Sequence, residues 1–317
     1  MTERSAWMPV VAWLLGCCLF CAGAAAEPVL FESHRLTPPG EYTSGIEGPA
    51  VDADGALYVV NFQRQGTIGR VKPGAASSEL FATLPQGSVG NGIRFDREGR
   101  MFIADYKKHN ILVIEPGTSV PQVYFHSDQF HQPNDLAVAR DGTLFASDPA
   151  FPHSGRIWRI VRQPDGKGRG EIMLSKRPTM GATNGIDLSP DDTTLYVSES
   201  DTREVWAYHL DGANLTSARL VKKFDAFELD GLRIDLGGRI FVAQPLGGTI
   251  AIIAPDRTPD AAPIAEVKLQ GKVPTNLTFG GPDGKSVFVT QRDGRFIEMF
   301  RTDKPGREPC LQASNRC

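Results

Sequence analysis

Between residues 47 and 291 the apolar positions fall in short runs separated by polar turns, and one arrangement returns six times. The copies read EGPAVDADGALYVVN (47–61), NGIRFDREGRMFIAD (91–105), NDLAVARDGTLFASD (134–148), NGIDLSPDDTTLYVSE (184–199), DGLRIDLGGRIFVAQ (230–244) and TNLTFGGPDGKSVFVTQ (275–291). Their first residues are separated by 44, 43, 50, 46 and 45 positions. Each copy opens on a polar residue and turns at a step such as Asp54-Gly55, Asp141-Gly142 or Gly237-Gly238 before a second apolar run. Glycine accepts the positive φ of a tight hairpin, so every copy predicts two antiparallel strands. A third strand follows each, at 67–71, 110–114, 156–160, 204–209, 249–253 and 296–300, and a fourth follows most, as at 79–84 and 219–224. Four strands per repeat at this spacing predict an all-β, six-bladed β-propeller of four-stranded antiparallel blades.

The last copy reaches Arg301 without an evident fourth strand, while 29–36 is strand-like and has no partner among its neighbours. The N-terminal strand is therefore expected to close the sixth blade, which removes the open edge. No 3.6-residue periodicity runs through the chain after residue 27, which argues against an α/β barrel.

The first residues do not belong to this pattern. Glu3 and Arg4 precede an uncharged, mostly apolar stretch from Ser5 to Ala26 that ends in small residues. This predicts an export signal at 1–26, a propeller at 27–302 and a C-terminal tail at 303–317. A lipoprotein-like box, Leu14-Leu15-Gly16-Cys17, and an uncleaved anchor remain as alternatives; all three place the body in the periplasm or outside the cell. Three of the five cysteines lie in the leader. In an oxidising compartment the other two, Cys310 and Cys317, are expected to pair and close a short loop in the tail. A net charge of −3 without a Lys/Arg stripe argues against nucleic acid as a partner. No membrane contact is expected beyond the leader or a lipid anchor, and with its edges closed the chain is expected to be a monomer.

In a propeller the first strand of each blade lines the axis, so the opening residues form a ring: Glu47, Asn91, Asn134, Asn184, Asp230 and Thr275. All carry oxygen, and converging them without a cation costs several kcal/mol, roughly, per buried group. Oxygen donors without Cys or His suit Ca²⁺ first, with Mg²⁺, Mn²⁺, Zn²⁺ or Fe²⁺ as other divalent candidates. The second strands return to the same face and end on Asn61, Asp105, Asp148, Glu199, Gln244 and Gln291, a second polar set able to hold substrate or water. No Gly-x-Ser-x-Gly elbow and no phosphate-binding glycine loop appears, which argues against covalent hydrolase and nucleotide chemistries.

Through Glu47-Gly48-Pro49, Pro133-Asn134-Asp135, Asn184-Gly185 and Asp230-Gly231 the chain resembles the SMP-30/gluconolactonase/luciferin-regenerating-enzyme (regucalcin-like) propellers. The resemblance implies Glu47, Asn184 and Asp230 as metal ligands, with Asn134 touching metal or substrate, and hydrolysis of a small lactone or ester. Where regucalcin-like sugar lactonases carry Arg two residues before that Asn, this chain has Gln132. Organophosphate-hydrolysing propellers share the ligand set, so it does not select the substrate. For the general base Asp230, Asp105 and Asp148 are all candidates, with Asn134 as their catalytic partner; Asn91, His131, Gln132 and Asn134 are candidate substrate contacts. His153 is a further candidate for the active face. Two other readings stand beside the lactonase: a non-catalytic binding propeller with a structural metal, and a strictosidine-synthase-like enzyme using Glu199.

Overall fold

A computed structural model describes residues 1–3 and 29–312, apart from 176, 178 and 213. Residues 4–28, with most of the expected leader, and Cys317 lie outside the described residues. Six antiparallel sheets are arranged around an axis, and each holds one repeat. Blade one is Tyr42–Val51, Leu57–Phe62, Thr67–Val71 and Glu79–Thr83; blade two is Gly90–Phe95, Met101–Asp105, Asn110–Ile114 and Gln122–His126. Blade three is Leu136–Val138, Leu144–Ala150, Ser154–Arg162 and Gly168–Ile172. Blade four is Thr183–Leu188, Thr194–Glu199, Glu204–Asp211 and Asn214–Lys223, with Leu174–Ser175 added parallel to its outer strand. Blade five is Leu232–Ile234, Ile240–Gln244, Thr249–Ile253 and Ala265–Lys268. Blade six takes Pro274–Gly280, Ser286–Gln291 and Phe296–Arg301 from the end of the chain and His34–Arg35 from its start, with His34 opposite Met299. The N-terminal closure read from the sequence is present.

Inner and outer strands differ as their surroundings demand. Leu57–Phe62, Met101–Asp105 and Ile240–Gln244 are buried throughout because each lies between two neighbouring sheets. Outermost strands such as Gly168–Ile172 alternate between exposed and half-buried. Successive side chains of an inner strand serve different neighbours: Val60 packs with Ile93 and Ile103 of blade two, whereas Val59 packs in the cluster that contains Ile297 of blade six. Six apolar clusters, each shared by two adjacent blades, complete the circle.

Glycine after the ring residue has a packing cause. A Cβ on Gly231 would stand 2.1 Å from Asn276 Oδ1, and one on Gly185 would stand 2.3 Å from the Leu232 nitrogen. The first strands approach one another closely at the axis, and only glycine leaves room.

The stretch after residue 302 is part of the body. It crosses the far face, opposite the ring, where the Leu236 amide donates to the Pro305 carbonyl at 2.9 Å and the Gly306 amide to Gly284 at 3.0 Å. The short helix Arg307–Gln312 follows, with Leu311 in the cluster shared by blades two and three. Cys310 is disulfide-bonded. Among the described residues no helix is long and apolar enough to cross a membrane.

Candidate metal centre and substrate cavity

A cavity of about 290 Å³ opens where the first strands begin. Five of the six ring residues, Glu47, Asn91, Asn134, Asn184 and Asp230, line it. Thr275 does not: its hydroxyl is buried between the Ile46 carbonyl (2.9 Å) and Thr290 Oγ1 (2.8 Å). Blade six instead sends Arg292 into the cavity.

The donor set fits a hard cation. Asn134 Oδ1 and Asn184 Oδ1 are both buried and accept no hydrogen bond among the described residues, although Asn184 Nδ2 is fixed to Ser200 Oγ at 3.0 Å. A native fold rarely leaves amide oxygens bare, because each forgoes about 1–3 kcal/mol. Glu47 Oε2 accepts the Gly48 amide at 3.0 Å, and burial holds its carboxyl above the ordinary range. Asp230 is pushed up well above it, first by burial and then by the charge of Glu47. Two orphaned amide oxygens facing the cavity of two crowded carboxylates fit a hard, oxygen-seeking divalent ion. Among the described residues no three His, Cys, Asp or Glu side chains cluster as a metal site, so any ion here depends on the amides.

Beneath the cavity the axis is filled by charge. Asp135, fully buried, accepts Arg94 Nη2 at 3.0 Å and Arg233 Nη1 at 2.9 Å. Burial still pushes its carboxyl up to about 7, against the pull of Arg94. Arg94 and Arg233 occupy the same repeat position in opposite blades, and Asn276 Nδ2 reaches Asp135 from blade six at 3.4 Å. Glu308 closes the far end against Arg94 at 2.7 Å, and Arg307 stands 3.6 Å from Asp187. A column of guanidinium and carboxylate thus supports the floor of the site and blocks the channel.

The second polar set behaves differently from the expectation placed on it. Asp148 is fully buried outside the cavity lining; it accepts the His131 and Gln132 amides (2.8 and 2.7 Å), Arg156 Nε (3.0 Å) and Trp158 Nε1 (3.0 Å). Asp105 is likewise buried and takes the Val89 amide at 3.0 Å and Asn110 Nδ2 at 3.1 Å. Both carboxylates are spent on tethering the loops that carry the ring, so neither is brought to the cavity as a base. Glu199 is held bidentately by Arg177 and by Thr202 Oγ1 at 3.0 Å. Gln132 reaches the cavity wall, but the exposed His131 does not line it, and His153 is turned to Asp201 at 2.8 Å.

Of that set Asn61 does line the cavity, with its Nδ2 donating to the Gly45 carbonyl at 2.6 Å, whereas four other blades line it with the residue just after: Tyr106 after Asp105, Ser200 after Glu199, Pro245 after Gln244 and Arg292 after Gln291. Consecutive residues leaving a strand point in opposite directions, so a shift of one position would have found them. Phe151 and Glu228 complete the rim and carried no sequence signal.

Residues 46–292 match the family described as SMP-30/Gluconolactonase/LRE-like region. A gluconolactonase from Zymomonas mobilis subsp. mobilis is 30% identical over 205 residues, covering 59% of this chain and 57% of the relative. The diisopropyl-fluorophosphatase of Loligo vulgaris is 22% identical over 299 residues, covering 86% of this chain and 94% of that one. Among solved structures, a gluconolactonase from Xanthomonas campestris superposes with a TM-score of 0.68 at 21% identity, over 86% of this chain and 89% of the other, which establishes the shared fold. The chain belongs to the SMP-30/gluconolactonase/LRE-like family of six-bladed propellers.

Proposed function

We propose that the protein is an exported, metal-dependent lactonase that hydrolyses a small lactone at the ring-face cavity. The observation that carries the reading is the pair of buried, unpartnered oxygens of Asn134 and Asn184 beside the carboxylates of Glu47 and Asp230. These four residues would hold a divalent cation, calcium first by the hardness of its donors. When bound, the ion supplies Lewis-acid polarisation of the lactone carbonyl.

The chain's own residues do the rest. Asn91 and Gln132 present amides on one wall to the ring and hydroxyl oxygens of a small lactone, and Tyr106 with Phe151 offers apolar cover at the mouth. In this reading Asp230 takes the proton of the attacking water. That water forms the new acyl C–O bond; the ring C–O bond breaks, and the departing alkoxide takes the proton back from Asp230, leaving an open-chain hydroxy acid. With Asp105 and Asp148 tied to loops, Asp230 is the base this geometry supports.

Export rests on the apolar leader that precedes the propeller, and the relatives named gluconolactonase support lactone as the substrate class. The near full-length likeness to a fluorophosphatase supports a second reading, phosphoester or phosphofluoridate hydrolysis on the same donors. The test is a panel of gluconolactone, xylonolactone, γ-butyrolactone, an acyl-homoserine lactone and a fluorophosphate, run before chelation, after it, and with Ca²⁺ restored. Lactone turnover that is lost on chelation and regained with Ca²⁺ supports the proposal; turnover of the fluorophosphate alone favours the second reading.

A further inference from the structure

Among the described residues Arg292 is the one cationic side chain that lines the cavity. Its backbone is pinned, the amide donating to the Val273 carbonyl at 2.9 Å, so the residue is held in place at the rim. Its side chain makes no hydrogen bond and no ion pair among the described residues. The adjacent carboxylate, Asp293, is turned away to the Lys272 and Val273 amides at 3.1 and 3.3 Å. Glu228, the rim carboxylate contributed ahead of Asp230, is exposed and makes no ion pair with it.

The remaining charges that face Arg292 are Glu47 and Asp230 on the floor, and its field already acts on both. If these two carboxylates are engaged by a dication, their negative charge is used. The guanidinium is then left as a planar, multi-donor cation without a partner, on the wall opposite the amides of Asn91, Gln132 and Asn134. A ligand that spans the cavity from those amides to blade six meets a positive charge at its far end.

We propose that Arg292 is a specificity residue that binds an anionic substituent on the substrate, so that the preferred substrate is a lactone carrying a carboxylate or similar oxyanion. This inference rests on the lactonase reading for the word lactone, but not for the anion. The carboxylate accepts two N–H donors from the guanidinium fork, while the lactone carbonyl lies toward Asn134, Asn184 and Asp230. A lysine at this position would keep the charge and lose the fork.

The test compares wild type, Arg292→Gln and Arg292→Lys in two measurements. The first is the ratio of kcat/KM for glucaro-1,4-lactone, which carries a carboxylate, to that for neutral gluconolactone. In wild type the ratio favours the anionic lactone; in Arg292→Gln it falls at least tenfold, and Arg292→Lys lies between. The second is binding of tetrahydrofuran-2-carboxylate, a ring with a carboxylate and no scissile carbonyl, followed by NMR titration of the Ca²⁺-loaded protein. Its affinity falls at least tenfold in Arg292→Gln. A ratio and an affinity that do not change on substitution overturn the inference, whatever lactone is hydrolysed. If neither lactone is turned over while the carboxylate still binds through Arg292, the lactonase reading fails and the anion site stands.

Discussion

Glu308 stands 2.7 Å from Arg94, Oε1 to Nε, although it lies outside the family-matched residues 46–292 and Arg94 lies inside them. The C-terminal helix therefore supplies a counter-charge to the column under the candidate metal centre. Arg94 and Arg233 are 2% and 0% exposed, and Asp135 is shared between them, so the second carboxylate matters to the balance.

Removing that carboxylate leaves a buried guanidinium short of charge, which typically costs about 3–5 kcal/mol. Glu308→Ala is expected to lower the unfolding free energy obtained from urea titration by an amount of that order, and truncation after residue 302 by more. Arg94→Met combined with Glu308→Leu should recover much of the loss, because it removes both charges together. A double variant no more stable than Glu308→Ala would show that the pair is not the cause.

The ring glycines give a second expectation. Gly231→Ala places its Cβ 2.1 Å from Asn276 Oδ1 and 2.8 Å from the Asn276 Cα, in a side chain already committed to Arg233 at 3.1 Å. Neither the backbone nor the amide has room to withdraw, so a cost of about 3 kcal/mol or more is expected, of the kind seen for overpacked sites. Gly142→Ala, at a hairpin with φ +85° and nothing within 4 Å, should cost only the positive-φ term, about 1–2 kcal/mol. Equal losses in thermal unfolding would mean that turn conformation, not axial crowding, explains glycine in the repeat.

The contrast between those glycines explains what the sequence could and could not reveal. Blade number, strand pairing and the N-terminal closure were legible because period, alternation and hairpin chemistry repeat six times and reinforce one another. The ring was legible because five oxygen-bearing side chains recur at one repeat position. The surroundings of Asp105 and Asp148 were not: in sequence both look identical to ligands, and only their contacts show that backbone amides and neighbouring side chains consume them. Arg292 was hidden because it comes one residue after the repeated position. Arg307 and Glu308 were hidden because no repeat frames them.

Asp148 offers a direct check on that distinction. Asp148→Ala removes the acceptor of two backbone amides, Arg156 and Trp158 at once, so a stability loss of about 3 kcal/mol or more is expected. Asp148→Asn retains an acceptor for part of the set and should keep measurable turnover. A catalytic base would behave otherwise, losing turnover in both variants with stability intact. Calorimetry beside initial rates separates the two.

If Asp230 is a metal ligand, as proposed, its substitution should have opposite effects on two properties. Asp230→Asn deletes one of two crowded carboxylates, so Ca²⁺ affinity is expected to fall about a hundredfold or more, roughly 2.8 kcal/mol. In chelator the same variant should unfold at a higher temperature than wild type, because burial and Glu47 both oppose ionisation of Asp230. Titration calorimetry and thermal unfolding in EDTA read the two arms. A variant that loses stability in chelator while keeping its calcium would exclude the cation site.

Asp187, near the far end of the column, carries the clearest pH signature. Burial pushes its carboxyl from an ordinary 3.8 up to about 7, opposed by Arg307 and reinforced by Glu308. Between those two values the folded protein holds a proton that the unfolded chain has released. The contribution is therefore complete below about 3.8 and is lost as the pH rises through about 7, at no more than about 1.4 kcal/mol per pH unit. Surface acids such as Asp191, held down by Ser189 and Thr193, contribute in the opposite sense at lower pH, so the difference between two proteins is the cleaner readout. Asp187→Asn keeps an acceptor for one of the two amides, Leu188 N–H on Oδ1 (2.8 Å) and Ile234 N–H on Oδ2 (3.0 Å), at a pH-independent cost for the other, and removes the titration. Urea midpoints measured from pH 4.5 to 7.5 should decline less steeply in the variant than in wild type. Parallel curves would mean that Arg307 keeps Asp187 ionised throughout, and that the column is held by charge on both partners across the whole range.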